Sequence, residues 1–394
     1  MKILFYRYGS ICEPDITQAL RENGHTVTEL TEEITNKNLF LGDCAKLVSS
    51  SLFEHPQDCV FSINFFPIIS DVCNIFHIPY LCWIVDSPVM ELWAKPIQNP
   101  CNRIFLFDRQ QYNEIAPLNP DCVFHFPLAV NISGKQQAIK TVSSLMCEQF
   151  ASECSFVGSL YTEKCPYDKL EHPPAYLRGY LEGIMAAQLE VYGYYFIEDL
   201  LTDRIVQDFK AHLPGFYQYP LENFLTDKTI LAQLYIGNKI TALERYTTLK
   251  TLSEHFSFDL YTGSDTSDLP AVHNRGLAKT LTEMPLIFHG SKINLNTTSK
   301  PIRTGIPLRV FDIMGCGGFV LSNYQPELCE FFEPGVHFDY YTSQDELIEK
   351  ADYYLHHEKE RAEIAQNGLE KVARDYSYPK RLDELFSIAF KSER

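Results

Sequence analysis

IPLRVFDIMGCGGFVLS, residues 306–322, sets an arginine, a carboxylate and three near-adjacent glycines inside one apolar run. Its pattern predicts a buried helix that ends at Gly315, turns at Gly317 and Gly318, and becomes the strand GFVLS. A helix returning to a strand through a glycine turn is the repeating step of a parallel α/β sheet. Pro307 favours the first helical turn, so the free N–H groups and positive end of the helix face whatever precedes it. What precedes it is SKINLNTTSKPIRTG (291–305), carrying Lys292, Lys300 and Arg303, with Arg309 following and no carboxylate before Asp312. This local reversal of sign suits a pyrophosphate, which accepts bidentate arginine contacts and lysine charge. A solvated basic loop is the bland alternative, and Asn294, Asn296, Gly305 and the nearby glycines favour the ligand. Asp312, three residues after Arg309, either reaches a sugar or ribose hydroxyl or pairs with Arg309.

The whole chain has 394 residues, enough for two domains with sizeable cores. A formal charge of −17 argues against nucleic acid and anionic membrane as partners, since both require a cationic face. MKILFYRYG reads as a first strand and not a signal peptide, and YLCWIVDSPVMELW is broken by Asp86 and Pro88, so a cytoplasmic location is expected. The twelve cysteines include no C-x-x-C pair, so reduced thiols, no metal and no cofactor are expected.

KILFYRYG, the amphipathic DITQALRENGH and HTVTEL read as β-turn-α-β. CVFSINFF, YLCWIV, RIFLFD and CVFHFPLAV are continuous apolar runs, as strands buried on both faces require. Residues 1–131 are therefore expected to form one Rossmann-like domain, with 132–150 a polar linker and 151–375 a second. Residues 170–250 show helical periodicity and read as a helical insertion in the second domain. Further strands are expected at SFDLYTG (257–263), PLIFHG (285–290), KINLN (292–296) and GFVLS (318–322), and helices to the end.

Open α/β sheets bind ligands beyond the carboxyl ends of their strands. Gly158-Ser159 and Gly9-Ser10 follow the first strands of the two domains, where glycine permits close approach of a phosphate or sugar; Lys164 adds charge to the second. Asp86 ends the apolar strand of WIVDSP, where an unpaired carboxylate has a raised pKa and suits a general base or hydroxyl acceptor. Capping the following turn is its plain alternative. His125, His273 and His289 lack metal spacing. No G-x-S-x-G, P-loop or well-placed G-x-G-x-x-G occurs, which disfavours hydrolase, nucleoside triphosphatase and dinucleotide readings.

FYRYGSICEPDITQAL, FSINFFPIISDVC, WIVDSP, NRIFLFDRQ, FPLAVN, SFVGSLY, MPLIFHGSKINLN and GIPLRVFDIMGCGGFVLSNYQPELCEFFEPG resemble the bacterial CgeB-like glycosyltransferases. YTSQDELIEKADYYLHHEKERAEIAQNG extends the likeness. In these a DUF3880 region precedes a glycosyl transferases group 1 domain. The resemblance implies a GT-B fold: two Rossmann-like domains facing across a cleft, the last helix (376–394) crossing back to the first. It implies a nucleotide-diphosphate sugar as donor substrate, no bound metal, and a cell-surface, spore or flagellar glycan or protein as acceptor. On that reading Arg309, Arg303 and Lys292 meet the diphosphate, with Gly158, Ser159, Lys164, Asn294 and Gly305 beside it. Asp312, Gly317 and Gly318 hold the sugar or ribose, and Asp312 joins Asp86 as a catalytic candidate. Gly9, Ser10 and Asp86 serve the acceptor, with Asp86 the base if the reaction inverts. Group 1 enzymes commonly carry two glutamates seven residues apart, whereas here Thr304 takes the first position and Asp312 the second. An arginine often follows the glycine loop, where this chain has Ser159 and Leu160. A non-catalytic nucleotide- or carbohydrate-binding relative and a nucleotide-sugar epimerase are the competing expectations.

Overall fold

KILFY forms β1 (Lys2–Tyr6), four of whose five residues are buried. Successive buried residues on a strand mean that both faces are covered. The same holds for β3 (Cys59–Ile63) and β4 (Tyr80–Ile84), buried throughout. With β2 (Thr26–Leu30), β5 (Asn102–Leu106) and β6 (Val123–His125) they make a wholly parallel sheet of order β2-β1-β3-β4-β5-β6. Tyr6, Phe65, Tyr80, Ile84 and Trp93 belong to its core, each large side chain contributing about 1.5–3 kcal/mol by leaving water. The computed structural model describes residues 1–37, 39–143, 147–163 and 165–391.

The second sheet is also parallel, of order β12-β11-β10-β7-β8-β9. Its strands are β7 (Ser152–Val157), β8 (Phe258–Tyr261), β9 (His273–Asn274), β10 (Ser291–Asn296), β11 (Val320–Asn323) and β12 (Asp339–Tyr341). The chain divides into two compact units. The first holds Met1–Ala129, Tyr219–Leu225 and the chain from Asp375 on; the second holds Val130–Gln218 and Thr226–Arg374. Within the first unit the excursion is pinned by Phe224 N–H to the Trp93 carbonyl (2.8 Å) and by Lys95 to Glu222 (2.9 Å). The helix Tyr378–Ala389 is held there by Arg103 Nε to the Ala389 carbonyl (2.9 Å) and by Tyr378 against Trp83.

Between β7 and β8 the described residues are helical or irregular: Ala175–Leu189, Ile197–Leu200, Asp203–Ala211, Asp227–Ile230 and Gly237–His255, the last entered through a π-helical stretch at Leu231–Ile236. One expectation fails here. PLIFHG is not a strand but part of the helix Met284–Gly290, because Pro285 sits in the first turn and a short apolar run suits either state. Within the stretch expected as a polar linker, residues 132–140 form a helix, Ile132–Lys140, capped by the Asn131 side chain on Gly134 N–H (2.9 Å). Among the described residues no helix is long and apolar enough to cross a membrane.

Candidate functional site

In the second sheet the strand order reverses between β7 and β10, and the crevice beyond the carboxyl ends of such a pair is where doubly wound sheets bind ligands. Gly158 and Ser159 leave β7 there, Thr297–Lys300 leave β10, and the helix Leu308–Gly315 begins after Pro307 with no side chain capping it. The quoted stretch thus folds as expected up to its start: helix, a turn with Gly317 at φ +73°, then β11.

Arg245 comes to this edge from the helix Gly237–His255. The π-helical entry sets a register in which Thr241, Glu244 and Arg245 share one face. Arg245 Nη1 donates to the Ser159 carbonyl at 2.6 Å and Nη2 to the Thr297 carbonyl at 3.0 Å, tying the β7 and β10 loops together. Its guanidinium lies 4.8 Å from the Tyr161 ring centroid and 5.3 Å from that of Phe156. No carboxylate of the described residues forms an ion pair with it, and its Nε is buried without a partner. Burial lowers its pKa, and the charge of Arg309 lowers it further.

Arg309 lies in the first turn of its helix, over the Phe288 ring at 5.3 Å. Its nearest carboxylate is Asp312 at 3.8 Å, and burial is the main cause of its lowered pKa. Asp312 is engaged more closely by Lys135, at 2.7 Å, with both side chains 11% exposed. Two arginines therefore stand at the switch point, Arg245 with no ion pair among the described residues and Arg309 with Asp312 at 3.8 Å, an arrangement that favours an anion.

Several expected ligand residues lie elsewhere. Lys292 is the exposed second residue of β10, at the amino end of the strand, so it stands at the opposite edge of the sheet from Thr297. Asn294 is buried, its amide donating to the Phe288 (2.9 Å) and Phe319 (3.3 Å) carbonyls and its oxygen accepting from Ser155 (3.2 Å). Gly317 and Gly318 precede β11, also on the amino side; a Cβ on Gly318 would lie 2.4 Å from the Phe288 carbonyl oxygen, so close packing explains the glycine. For Lys292, Gly317 and Gly318 sequence proximity to the basic segment misled, because parallel strands send their two ends to opposite edges of the sheet.

Ser159 keeps its place, but its hydroxyl is spent within the loop, donating to Glu163 (2.8 Å) and accepting from Tyr161 N–H (2.9 Å). A Cβ on Gly158 would press on the Phe156 ring at 3.2 Å and lie in ordinary contact with Arg245 Nη1 at 3.8 Å. Lys164 lies outside the described residues. Gly305 is buried with its carbonyl accepting from Gln325 (3.4 Å), and Arg303 lines a small pocket with Tyr195, Lys300 and Gln325. Lys300 is paired with buried Glu244 at 3.0 Å. Thr304 donates to Glu327 at 2.7 Å. Arg245 and Glu244 escaped sequence reading because, inside ALERYTTLK, they look like ordinary polar positions of an amphipathic helix.

In the first sheet the corresponding reversal falls between β1 and β3. Gly9 is at φ +96°, and its N–H is taken by the Glu13 carboxylate (3.0 Å), so it is not offered to a ligand. Ser10 Oγ lies 3.4 Å from Cys12 Sγ. Asp86, beyond β4, is exposed and accepts from Asn64 Nδ2 at 2.7 Å and Tyr8 OH at 3.4 Å. It caps no helix: Val89 precedes the short Met90–Trp93 turn. Among the described residues no cluster of three or more His, Cys, Asp or Glu is arranged to hold a metal.

The family described as glycosyl transferase-like matches residues 245–387. No curated protein matches the chain. Among solved structures, Anabaena Alr3699/HepE in complex with UDP and glucose is 11% identical with a TM-score of 0.55, covering 100% of both chains. A glycosyltransferase from Rickettsia africae is 10% identical with a TM-score of 0.55, covering 100% of this chain and 98% of its own. Sucrose-phosphate synthase from Thermosynechococcus elongatus is 9% identical with a TM-score of 0.55, covering 100% of both. The fold is GT-B, with two Rossmann-like units in one chain.

Proposed function

We propose that this chain is a glycosyltransferase of the CgeB-like kind, moving a sugar from a nucleoside-diphosphate donor to a hydroxyl of a surface glycan or protein. The observation that carries this reading is the placement of Arg245 on the β7 and β10 loops, with no ion pair among the described residues, and of Arg309 in the first turn of the helix that follows β10. A diphosphate satisfies both guanidiniums, and as the sugar leaves, the charge that builds on the diphosphate meets fixed cations and the start of the helix Leu308–Gly315. These side chains take the part of a divalent ion, so transfer proceeds without added metal. The first unit's edge, Tyr8, Ser10 and Asp86, serves the acceptor.

UDP-glucose is the first donor to try, since UDP and UDP-glucose are what the HepE structures hold. The test is release of the nucleoside diphosphate from UDP-glucose, GDP-mannose and dTDP-glucose, with and without EDTA, for wild type and Arg245→Met. Turnover of one donor, insensitive to EDTA and lost in the variant, supports the reading; no turnover of any donor opposes it. A non-catalytic binder is favoured by Thr304 in place of a glutamate and by the Lys135 pairing of Asp312. It predicts nucleotide binding with no donor consumed.

A further inference from the structure

Tyr161, in the loop that leaves β7, stands in the left-handed backbone region at φ +64°. A bulky side chain rarely adopts that conformation, because its Cβ crowds the following carbonyl, and it persists only where the surroundings hold it. Here the loop is held at successive residues. Gly158 N–H donates to the Tyr261 carbonyl at 3.1 Å, Leu160 N–H to Ser264 Oγ at 2.9 Å and Tyr161 N–H to Ser159 Oγ at 2.9 Å. The Leu160 side chain is buried in the core of the second unit.

What this turn accomplishes is the placement of one ring. The Tyr161 ring centroid lies 4.8 Å from the Arg245 guanidinium, closer than that of Phe156 at 5.3 Å. Two residues earlier, the Ser159 carbonyl of the same loop accepts from Nη1 of that guanidinium at 2.6 Å. The loop thus grips Arg245 twice, by a carbonyl and by an aromatic ring, and a ring holds a cation more strongly where water is kept away. Among the described residues the Tyr161 hydroxyl makes no hydrogen bond, so the ring is the part that is used.

We infer that Tyr161 is a positioning residue, held in a strained backbone because its ring fixes the Arg245 guanidinium where the diphosphate meets it. The inference rests on the glycosyltransferase reading and adds that the loop after β7 gives up stability for affinity.

The experiment measures UDP and uridine affinity by calorimetry, and ligand-free Tm, for wild type, Tyr161→Gly, Tyr161→Asn, Tyr161→Phe and Arg245→Met. Glycine and asparagine both accept the left-handed backbone and carry no ring. Each is expected to weaken UDP about fivefold or more and to leave uridine as in wild type. Each is also expected to melt within about 2 °C of wild type or above it, since relief of the backbone offsets the lost ring contact. Tyr161→Phe keeps the ring and restores the wild-type affinity for UDP. Unchanged UDP affinity in both variants without a ring, equal weakening of UDP and uridine, or a phenylalanine variant as weak as the glycine one overturns the inference. A fall in Tm of more than about 5 °C in the glycine and asparagine variants does so too, and makes Tyr161 structural. In all these cases Arg245→Met still weakens UDP. If wild type does not bind UDP, or Arg245→Met binds it as tightly as wild type does, the reading beneath fails as well.

Discussion

Arg245 Nη1 rests 2.6 Å from the carbonyl oxygen of Ser159, so an arginine from a helix more than eighty residues later in the chain stands at the glycine loop of β7. Group 1 glycosyltransferases commonly place an arginine in that loop itself; here the loop supplies a carbonyl that holds an imported one. Burial depresses the pKa of Arg245, and repulsion from Arg309 adds a smaller push in the same direction.

That repulsion makes a stability test. Arg309→Met keeps the packing on Phe288 and Met284 and removes one of the two charges. The variant is expected to melt within about 2 °C of wild type or above it, a stability change inside about 0.5 kcal/mol, while losing the rise in Tm that UDP gives wild type. A large fall in the ligand-free Tm would mark Arg309 as a structural residue.

The Lys135–Asp312 pair, nearly buried on both sides, predicts the opposite behaviour. Lys135→Met leaves Asp312 facing only a distant Arg309 and is expected to cost about 3 kcal/mol, read from urea unfolding. Asp312→Asn should likewise destabilise more than it slows turnover. Full stability with turnover abolished in Asp312→Asn would restore the catalytic role expected from sequence.

Gly318→Ala drives a Cβ to within 2.4 Å of the Phe288 carbonyl oxygen and 2.7 Å of Asn294 Nδ2. Neither neighbour is a flexible tip, so about 3 kcal/mol of destabilisation is expected. Nucleotide affinity of the folded variant should match wild type, because this turn lies at the amino edge of β11. Weakened affinity at unchanged stability would return the glycine to the ligand.

Alkaline pH should unfold the protein progressively. Burial pushes the thiols of Cys12 and Cys316 up to about 12. In the unfolded chain a thiol ionises near about 8.5. Below that pH both states hold the proton and stability is complete; above it the unfolded state loses protons that the folded state retains. Each such thiol then removes about 1.4 kcal/mol per pH unit until its folded pKa is reached. Urea midpoints at pH 7.5 and pH 10 measure this, and equal midpoints would contradict it.

Much of the architecture was legible because buried parallel strands are continuous apolar runs, as in CVFSI and YLCWI, and because Pro307 and Gly317 punctuate the helix between β10 and β11. PLIFHG was not, since a short apolar run beginning with proline fits a helix or a strand. The candidate site was legible in Arg309, whose position follows directly from the helix start. Lys292 and Arg245 show the limit from two sides: one is near the site in sequence and at the wrong edge of the sheet, the other is remote in sequence and delivered by a helix face. Residue type gives chemistry, but only strand polarity and helix register decide where it is used.

The central claim is that Arg245 and Arg309 form a diphosphate site. Its most direct test is calorimetric titration of UDP and of uridine into wild type, Arg245→Met and Arg309→Met. The account predicts that UDP binds wild type, that each substitution weakens it roughly 10- to 100-fold, as loss of about 1.5–3 kcal/mol of charged hydrogen bonding implies, and that uridine binding is unaffected. UDP binding equally to all three proteins, or not to wild type at all, would contradict it.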